Sequence, residues 1–168
     1  TVLGAGCGTG NYLHGLRPRL GSLFGIDFNE GMLSQARAKL GDEVALTCGS
    51  ILDLPYEDEK FDGITCNQVI HHLDKGPSAA DDPATWKPSS FLNIAQFVQE
   101  TYRVLKPGGA LVINIATHEQ IIDGYWWADL IPVAAARMTC RHPDLDQLKQ
   151  IFTAAGFAME SVTPDLDG

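Results

Sequence analysis

Basic residues are scarce in this chain. Only 12 Lys and Arg stand against 21 Asp and Glu in 168 residues, giving a formal charge of -9 and a pI near 4.8. That sign is opposite to the footprint of proteins held on nucleic acid or anionic membranes, so neither is expected as a partner. Cysteine is sparse and scattered. Cys7, Cys48, Cys66 and Cys140 form no C-x-x-C pair, which excludes zinc ribbons, thioredoxin-like redox motifs and disulfide-stapled scaffolds. Three of the four fall in or beside predicted strands and are expected to be small buried hydrophobes in a reducing cell, with the cytoplasm as the expected compartment. No apolar run approaches the roughly 20 residues of a membrane-spanning helix. The chain opens directly on what reads as a core strand, so its natural start is expected to lie upstream and no targeting segment is to be sought.

What is present describes one folded domain. The hydrophobic fraction is 45% and the charged fraction 20%, both ordinary for a globular chain, and the length suits a single core over 1–168. Thr1 to Leu3 reads as the end of an apolar strand that breaks into Gly4-Ala5-Gly6-Cys7-Gly8-Thr9-Gly10. A short helix follows, carrying Tyr12, Leu13, Leu16 and Leu20. Leu23 to Asp27 is a second strand. Asn29 then suits the N-cap of a helix with Met32, Ala36 and Leu40 inward and Gly41 as its stop. Val44 to Cys48 and Phe61 to Asn67 are strands three and four.

A Pro-, Asp- and Ser-rich loop runs from Asp74 to about Ser89. From Ser90, an expected N-cap, Phe91, Ile94, Ala95, Val98, Tyr102 and Leu105 mark one helix face, which ends at Lys106-Pro107-Gly108-Gly109. The nearly unbroken apolar run Ala110 to Ala116 is expected to be a central strand. Tyr125-Trp126-Trp127, a helix or turn around Leu130 to Met138, a helix from Leu145 to Ala155 and a last strand from Phe157 to Val162 complete the chain. The alternation predicts an α/β fold, a doubly wound, mostly parallel Rossmann-like sheet with helices on both faces. In such a sheet the ligand lies outside the carboxyl ends of the strands, which directs attention to Gly4 to Gly10, Asp27, Gly49 to Asp53 and Asn67 to Leu73.

The glycine spacing is G-x-G-x-G over Gly6, Gly8 and Gly10, and it does not match the dinucleotide fingerprint G-x-G-x-x-G. Glycines let a nucleotide-like ligand lie against the backbone, and Asp27 at the end of strand two can accept hydrogen bonds from ribose hydroxyls. A glycine turn with that acid predicts a ribose-bearing cofactor. The ordered set Val2 to Gly10, Asp27, Leu54-Pro55-Tyr56 before Phe61-Asp62, Asn67-Gln68-Val69-Ile70-His71-His72-Leu73 and Val104 to Gly109 resembles a class I S-adenosylmethionine-dependent methyltransferase over nearly the whole chain.

The resemblance implies that Gly6, Cys7, Gly8 and Gly10 lie against the methionine and ribose parts of the cofactor. It also implies that Asp27 holds the ribose with Phe28 beside it, that Ser50 and Ile51 flank the adenine, and that Asn67 faces the cofactor from strand four. The sequence departs from the family pattern in two places: Gly4 stands where relatives usually carry a carboxylate, and Ser50 where they often carry Asp. Relatives also have helices before strand one and a final antiparallel strand, and the resemblance implies that 1–168 lacks both.

Methyl transfer from a sulfonium is an in-line displacement, for which the protein aligns the partners and supplies a base only where the acceptor must lose a proton. His71 and His72 are the candidate bases because imidazole titrates near neutral pH. As metal ligands with Asp74 they lack a well-spaced third partner, and no metal is expected. The Asp74 to Ser89 loop and Tyr125 to Trp127 are candidates for a substrate lid over a small-molecule acceptor. A non-catalytic cofactor-binding or partner-binding module and an NAD-dependent oxidoreductase are the alternatives.

Overall fold

A computed structural model of the chain describes residues 1–163. It forms two compact units: residues 1–69 with 99–114, and residues 70–98 with 115–163.

The first unit is built on a five-stranded parallel sheet: β1 (Val2–Ala5), β2 (Leu23–Asp27), β3 (Val44–Cys48), β4 (Phe61–Asn67) and β5 (Leu105–Asn114), in the order β3-β2-β1-β4-β5. Three strands fall within their predicted limits. β1 instead continues through Gly4 to Ala5, because Gly4 is paired in register with Gly25 on one side and Thr65 on the other. β5 is at the sheet edge among the described residues, which corrects the expectation of a central strand. Its apolar run does not report burial: Ala110 and Val112 are exposed, Val112 at 54%, and Leu111 and Ile113 are only half-buried. β1 is the central strand. Strand order reverses between β1 and β4, so the loops leaving these two strands diverge and open the crevice where such sheets take their ligands.

Helix α1 (Asn11–Leu16) and helix α2 (Glu30–Leu40) pack with the sheet through Leu13, Leu23, Ala36, Leu40 and Val44. Asn29 caps α2 as expected, its side chain accepting from the Met32 amide at 3.1 Å, and Gly41 ends the helix at φ 59°. The inward face is Leu33, Ala36 and Leu40. Met32 is exposed, since the buried stripe follows i, i+3, i+7 and not a strict four-residue step.

Helix α3 (Leu92–Val104) starts two residues after the expected cap, and Ser90 is not the capping side chain. Asp74 serves instead, its carboxylate accepting from the amides of Asn93 at 3.2 Å and Ile94 at 3.1 Å, while Asn93 Nδ2 donates to the Leu73 carbonyl at 2.7 Å. A carboxylate brought back from 19 residues upstream leaves no local signal in the sequence. On α3 the buried set is Ile94, Phe97, Val98, Thr101 and Val104, with Tyr102 half exposed.

In the second unit, helix α4 (Pro132–Thr139) and helix α5 (Leu145–Ala154) stand near the expected positions. α5 opens on a capping box: the Asp144 carboxylate accepts from the Gln147 amide at 2.7 Å, and the Gln147 side chain accepts from the Asp144 amide at 3.0 Å. The expected last strand from Phe157 to Val162 does not form. Phe157 folds back on the helix end, its amide donating to the Phe152 carbonyl at 3.0 Å with the two rings 5.8 Å apart, so the apolar residues that suggested a strand close α5.

The long loop is pinned within this unit. Ser89 donates its amide to the Cys140 carbonyl at 2.8 Å, Arg137 Nε donates to the Pro77 carbonyl, and Asp82 caps a short 3-10 turn at Pro83–Thr85. Trp127 packs with Ile121, Ala128 and Ala135, whereas Trp126 is 79% exposed. Among the described residues no helix is long and apolar enough to cross a membrane.

Candidate active site

The three glycines of the first turn all have left-handed backbones, at φ 67° for Gly6, 52° for Gly8 and 75° for Gly10, but their surroundings differ. A Cβ at Gly6 would lie 2.6 Å from a methyl of Val69, and one at Gly10 would lie 2.7 Å from a methyl of Leu40. A Cβ at Gly8 would meet no atom within 4 Å. Gly6 and Gly10 are therefore demanded by protein packing as well as by backbone conformation. At Gly8 the backbone faces open space, a place where a ligand can lie directly on the chain.

Asp27 is tied to this turn. Its Oδ2 accepts from the Gly8 amide at 2.8 Å and its Oδ1 from the Asn29 amide at 2.9 Å, while the residue is 8% exposed. Each oxygen thus has one backbone donor and keeps lone-pair capacity for a further one. Two fixed amides orient the carboxylate before any ligand arrives. Phe28, next in the chain, is 81% exposed, an unusual position for a phenyl ring.

Cys7 lies beside Gly25, its amide donating to the Ile26 carbonyl at 3.0 Å. Burial, with the Asp27 charge adding to it, pushes its thiol up to about 11, so it remains a protonated, unreactive wall of the turn. Cys66 is buried as expected, Cys7 is half-buried, and Cys140, away from any strand, is buried too. Cys48, paired in register with Asp27, is exposed, because the outward positions at the end of β3 are not covered within its unit. Ser50 turns its hydroxyl to accept from the Leu52 amide at 3.1 Å, and Ile51 is buried. The Gly49 amide donates to the Asp27 carbonyl at 3.0 Å, which draws the β3 exit to the acid.

Gly4 has a packing explanation. A Cβ there would lie 3.0 to 3.2 Å from three carbons of the Leu13 side chain, and a Cβ at its paired residue Gly25 would meet Leu13 at 2.9 Å. Leu13, 1% exposed, thus occupies the volume above both glycines, where a carboxylate side chain would otherwise rise.

At the exit of β4, Asn67 is half-buried and Gln68 adopts φ 55°. The structure brings together Gly6, Cys7, Gly8, Gly10, Asp27, Phe28, Ser50, Ile51 and Asn67 within the first unit, at the carboxyl ends of β1 to β4. Sequence reasoning missed Val69, Leu13 and the Asn29 amide, whose roles arise from contacts rather than from any motif.

His71 and His72 belong to the second unit, in a one-turn 3-10 segment. Their rings lie 4.0 Å apart, and His71 stacks on His142 at 4.6 Å with an interplanar angle of 18°. His142, which no sequence signal connected to them, is held by its Nδ1 on the Met138 carbonyl at 2.8 Å. Burial first, then the neighbouring His72, His142 and Arg141, pulls His71 down to about 4. Its Nδ1 is buried and has no hydrogen-bond partner among the described residues.

Comparison with known proteins accords with this geometry. A family model described as "Methyltransferase domain" matches residues 3–113. The demethylmenaquinone methyltransferase of Symbiobacterium thermophilum is 26% identical over 93% of this chain and 67% of its own length. A Haloferax volcanii methyltransferase, solved in complex with the Trm112 methyltransferase activator, is 25% identical with a TM-score of 0.67 over 92% of this chain. The chain spans 60% of that protein's length. An S-adenosylmethionine-dependent methyltransferase from Mesorhizobium loti shares the fold with a TM-score of 0.70 at 18% identity, over 95% of this chain and 74% of its own. With a glycine turn joined to an acid at the switch point of a parallel sheet, and a family match over most of its length, the chain belongs to the class I S-adenosylmethionine-dependent methyltransferases.

Proposed function

We propose that 1–168 is one functional domain that transfers a methyl group from S-adenosylmethionine to a small-molecule acceptor. The observation that carries this is the hydrogen bond from the Gly8 amide to the Asp27 carboxylate, which fuses an open glycine backbone and a ribose-accepting acid into one cradle. Gly6, Cys7, Gly8 and Gly10 would line the methionine and ribose side and Asp27 would accept from the ribose hydroxyls. Ser50 and Ile51 would flank the adenine, Phe28 would lie beside Asp27, and Asn67 would face the cofactor from β4. The fit is favourable on two counts: Asp27 retains acceptor capacity, and Gly8 leaves space that a side chain would fill.

When bound, the cofactor supplies an electrophilic methyl on a sulfonium. The protein's own part is to orient the two reactants and keep water out. For acceptors that must lose a proton, His71 and His72 are the proposed bases. Burial holds His71 neutral down to about pH 4, which makes it a weaker proton acceptor than an ordinary imidazole and leaves His72 as the stronger candidate of the two.

A small acceptor is favoured by the acidity of the chain, which opposes nucleic acid, and by the small-molecule acceptor in the name of the Symbiobacterium relative. Calorimetric titration with S-adenosylhomocysteine, with NAD as control and Asp27→Ala as the site variant, tests the reading. Binding of the first ligand alone, lost in the variant, is expected. Equal binding of NAD, or undiminished binding by the variant, would overturn it.

A further inference from the structure

At the exit of β4 one residue does something its type does not favour. Gln68 adopts φ 55°, in the left-handed region that costs a side-chain-bearing residue about 1–2 kcal/mol and that persists only where the surroundings impose it. Two hydrogen bonds hold Gln68 there, and both run to one residue on the neighbouring strand. The Gln68 amide donates to the Asn114 carbonyl at 2.8 Å, and Gln68 Nε2 donates to Asn114 Oδ1 at 2.6 Å. The first bond continues the β4–β5 ladder one step beyond the paired Asn67 and Asn114. The second is additional, and it holds main chain and side chain of Gln68 to the same partner.

This attachment has a consequence for the next residue. Once Gln68 is fixed in the left-handed conformation, Val69 turns back toward β1 and its methyls cover Gly6 so closely that a Cβ there would be 2.6 Å away. The strap therefore runs from Asn114 through Gln68 and Val69 to the first glycine of the turn.

We infer that Asn114 is a positioning residue for the cofactor cradle: it holds Gln68 left-handed and so seats Val69 against Gly6. This rests on the function proposed above. Without the Asn114 side chain, Gln68 relaxes to negative φ in the free protein, and ligand binding has to restore the left-handed turn. Glycine at 68 adopts that conformation without cost and makes the strap unnecessary.

The test uses the wild type, Asn114→Ala, Gln68→Gly and the double variant, titrated with S-adenosylhomocysteine and followed by the NMR shifts of the Val69 methyls. Asn114→Ala is expected to weaken binding about tenfold, the equilibrium value of the conformational cost. Gln68→Gly, alone or with Asn114→Ala, is expected to stay within about threefold of wild type. The Val69 methyls should shift in Asn114→Ala and return in the double variant. Unchanged binding in Asn114→Ala overturns the inference, and so does a double variant as weak as Asn114→Ala, since Asn114 would then act only by holding β5 to β4. If the wild type binds no S-adenosylhomocysteine, the proposed function fails, and the Val69 shifts still decide the strap: methyls unmoved by Asn114→Ala would dismiss it.

Discussion

The Gly8 amide and the Asp27 carboxylate, 19 residues apart in sequence, meet at 2.8 Å and make the β1 turn and the β2 terminus a single piece. The Asn29 amide on the other oxygen completes the arrangement. The acid consequently has two roles: it stabilises the left-handed turn, and it presents its remaining lone pairs to a ligand.

Removing that carboxylate should therefore harm both. Asp27→Ala leaves two amides without their charged acceptor and removes the ribose site, for which about 2–4 kcal/mol of ligand binding is the expected loss. Asp27→Asn, which keeps acceptor capacity on one oxygen, should lose less. Calorimetry with S-adenosylhomocysteine and a urea melt of each variant separate the two effects, and an Asp27→Ala protein that binds like wild type would remove Asp27 from the site.

The glycines of the turn should divide by phenotype. Gly6→Ala places a methyl on Val69 in a left-handed backbone, so about 2–3 kcal/mol of stability should go. Gly8→Ala has the same backbone strain of about 1 kcal/mol but no packing clash, and its methyl projects into the open cradle. Its midpoint of unfolding should move less than that of Gly6→Ala while its affinity falls further in proportion. Identical profiles for the two variants would contradict the assignment.

Placing at position 4 the acid that the family resemblance implies there should not help this protein. Gly4→Asp has to displace Leu13 from a buried position, with about 1–3 kcal/mol of destabilisation expected. Adding Leu13→Ala opens room for the aspartate, so the double variant should be more stable than the sum of the two single effects predicts. Additivity in urea denaturation would show that Leu13 is not the obstacle.

Stability should fall as the medium becomes acidic, in a defined window. Burial holds His71 at about 4 and His142 below the ordinary histidine value of 6.5. Above pH 6.5 neither the folded nor the unfolded chain binds these protons. Between 6.5 and about 4 the unfolded chain takes up protons that the folded one refuses, so the folded state loses ground as pH drops, and the dependence levels off below the folded value. The groups around the stack, His72, Arg141 and His118, are of the same sign when charged and reinforce the effect. Allowing for the part of the ring that meets solvent, His71 contributes on the order of 1 kcal/mol between pH 7 and 5. His71→Gln should flatten the curve by that amount in urea melts at pH 7, 6 and 5, and an equally steep curve would contradict the assignment.

Much of the first unit was legible in the sequence. The strands from Leu23, Val44 and Phe61, the Asn29 cap and the Gly41 stop all rest on local rules that tertiary packing did not override. What stayed hidden depended on distant partners. Asp74 replaced Ser90 as the cap of α3 because a carboxylate returned across a long loop. β5 read as central because its run is apolar, and neither its edge pairing nor the exposure of Val112 leaves a trace in composition. Phe157 read as the start of a strand because hydrophobicity alone does not distinguish pairing from folding back on Phe152. At the site, glycine spacing and Asp27 were visible, whereas the reason for Gly4 was visible only once Leu13 was seen above it.

The placing of β1 at the centre of the sheet sets an order of assembly. Leu3 pairs with Phe24 on one side, 21 residues on, and with Ile64 on the other, 61 residues on. Closing the shorter loop is entropically easier, so β1, β2 and β3 with their helices form early and β4 joins later. The link between Gly8 and Asp27 belongs to the early half, while Asn67, Gln68 and Val69 arrive with β4. A nascent chain thus builds half of its ligand cradle before the crevice exists. Pulse-labelled amide exchange during refolding should protect Phe24 and Ile26 before Ile64 and Cys66, and the reverse order would refute this sequence of events.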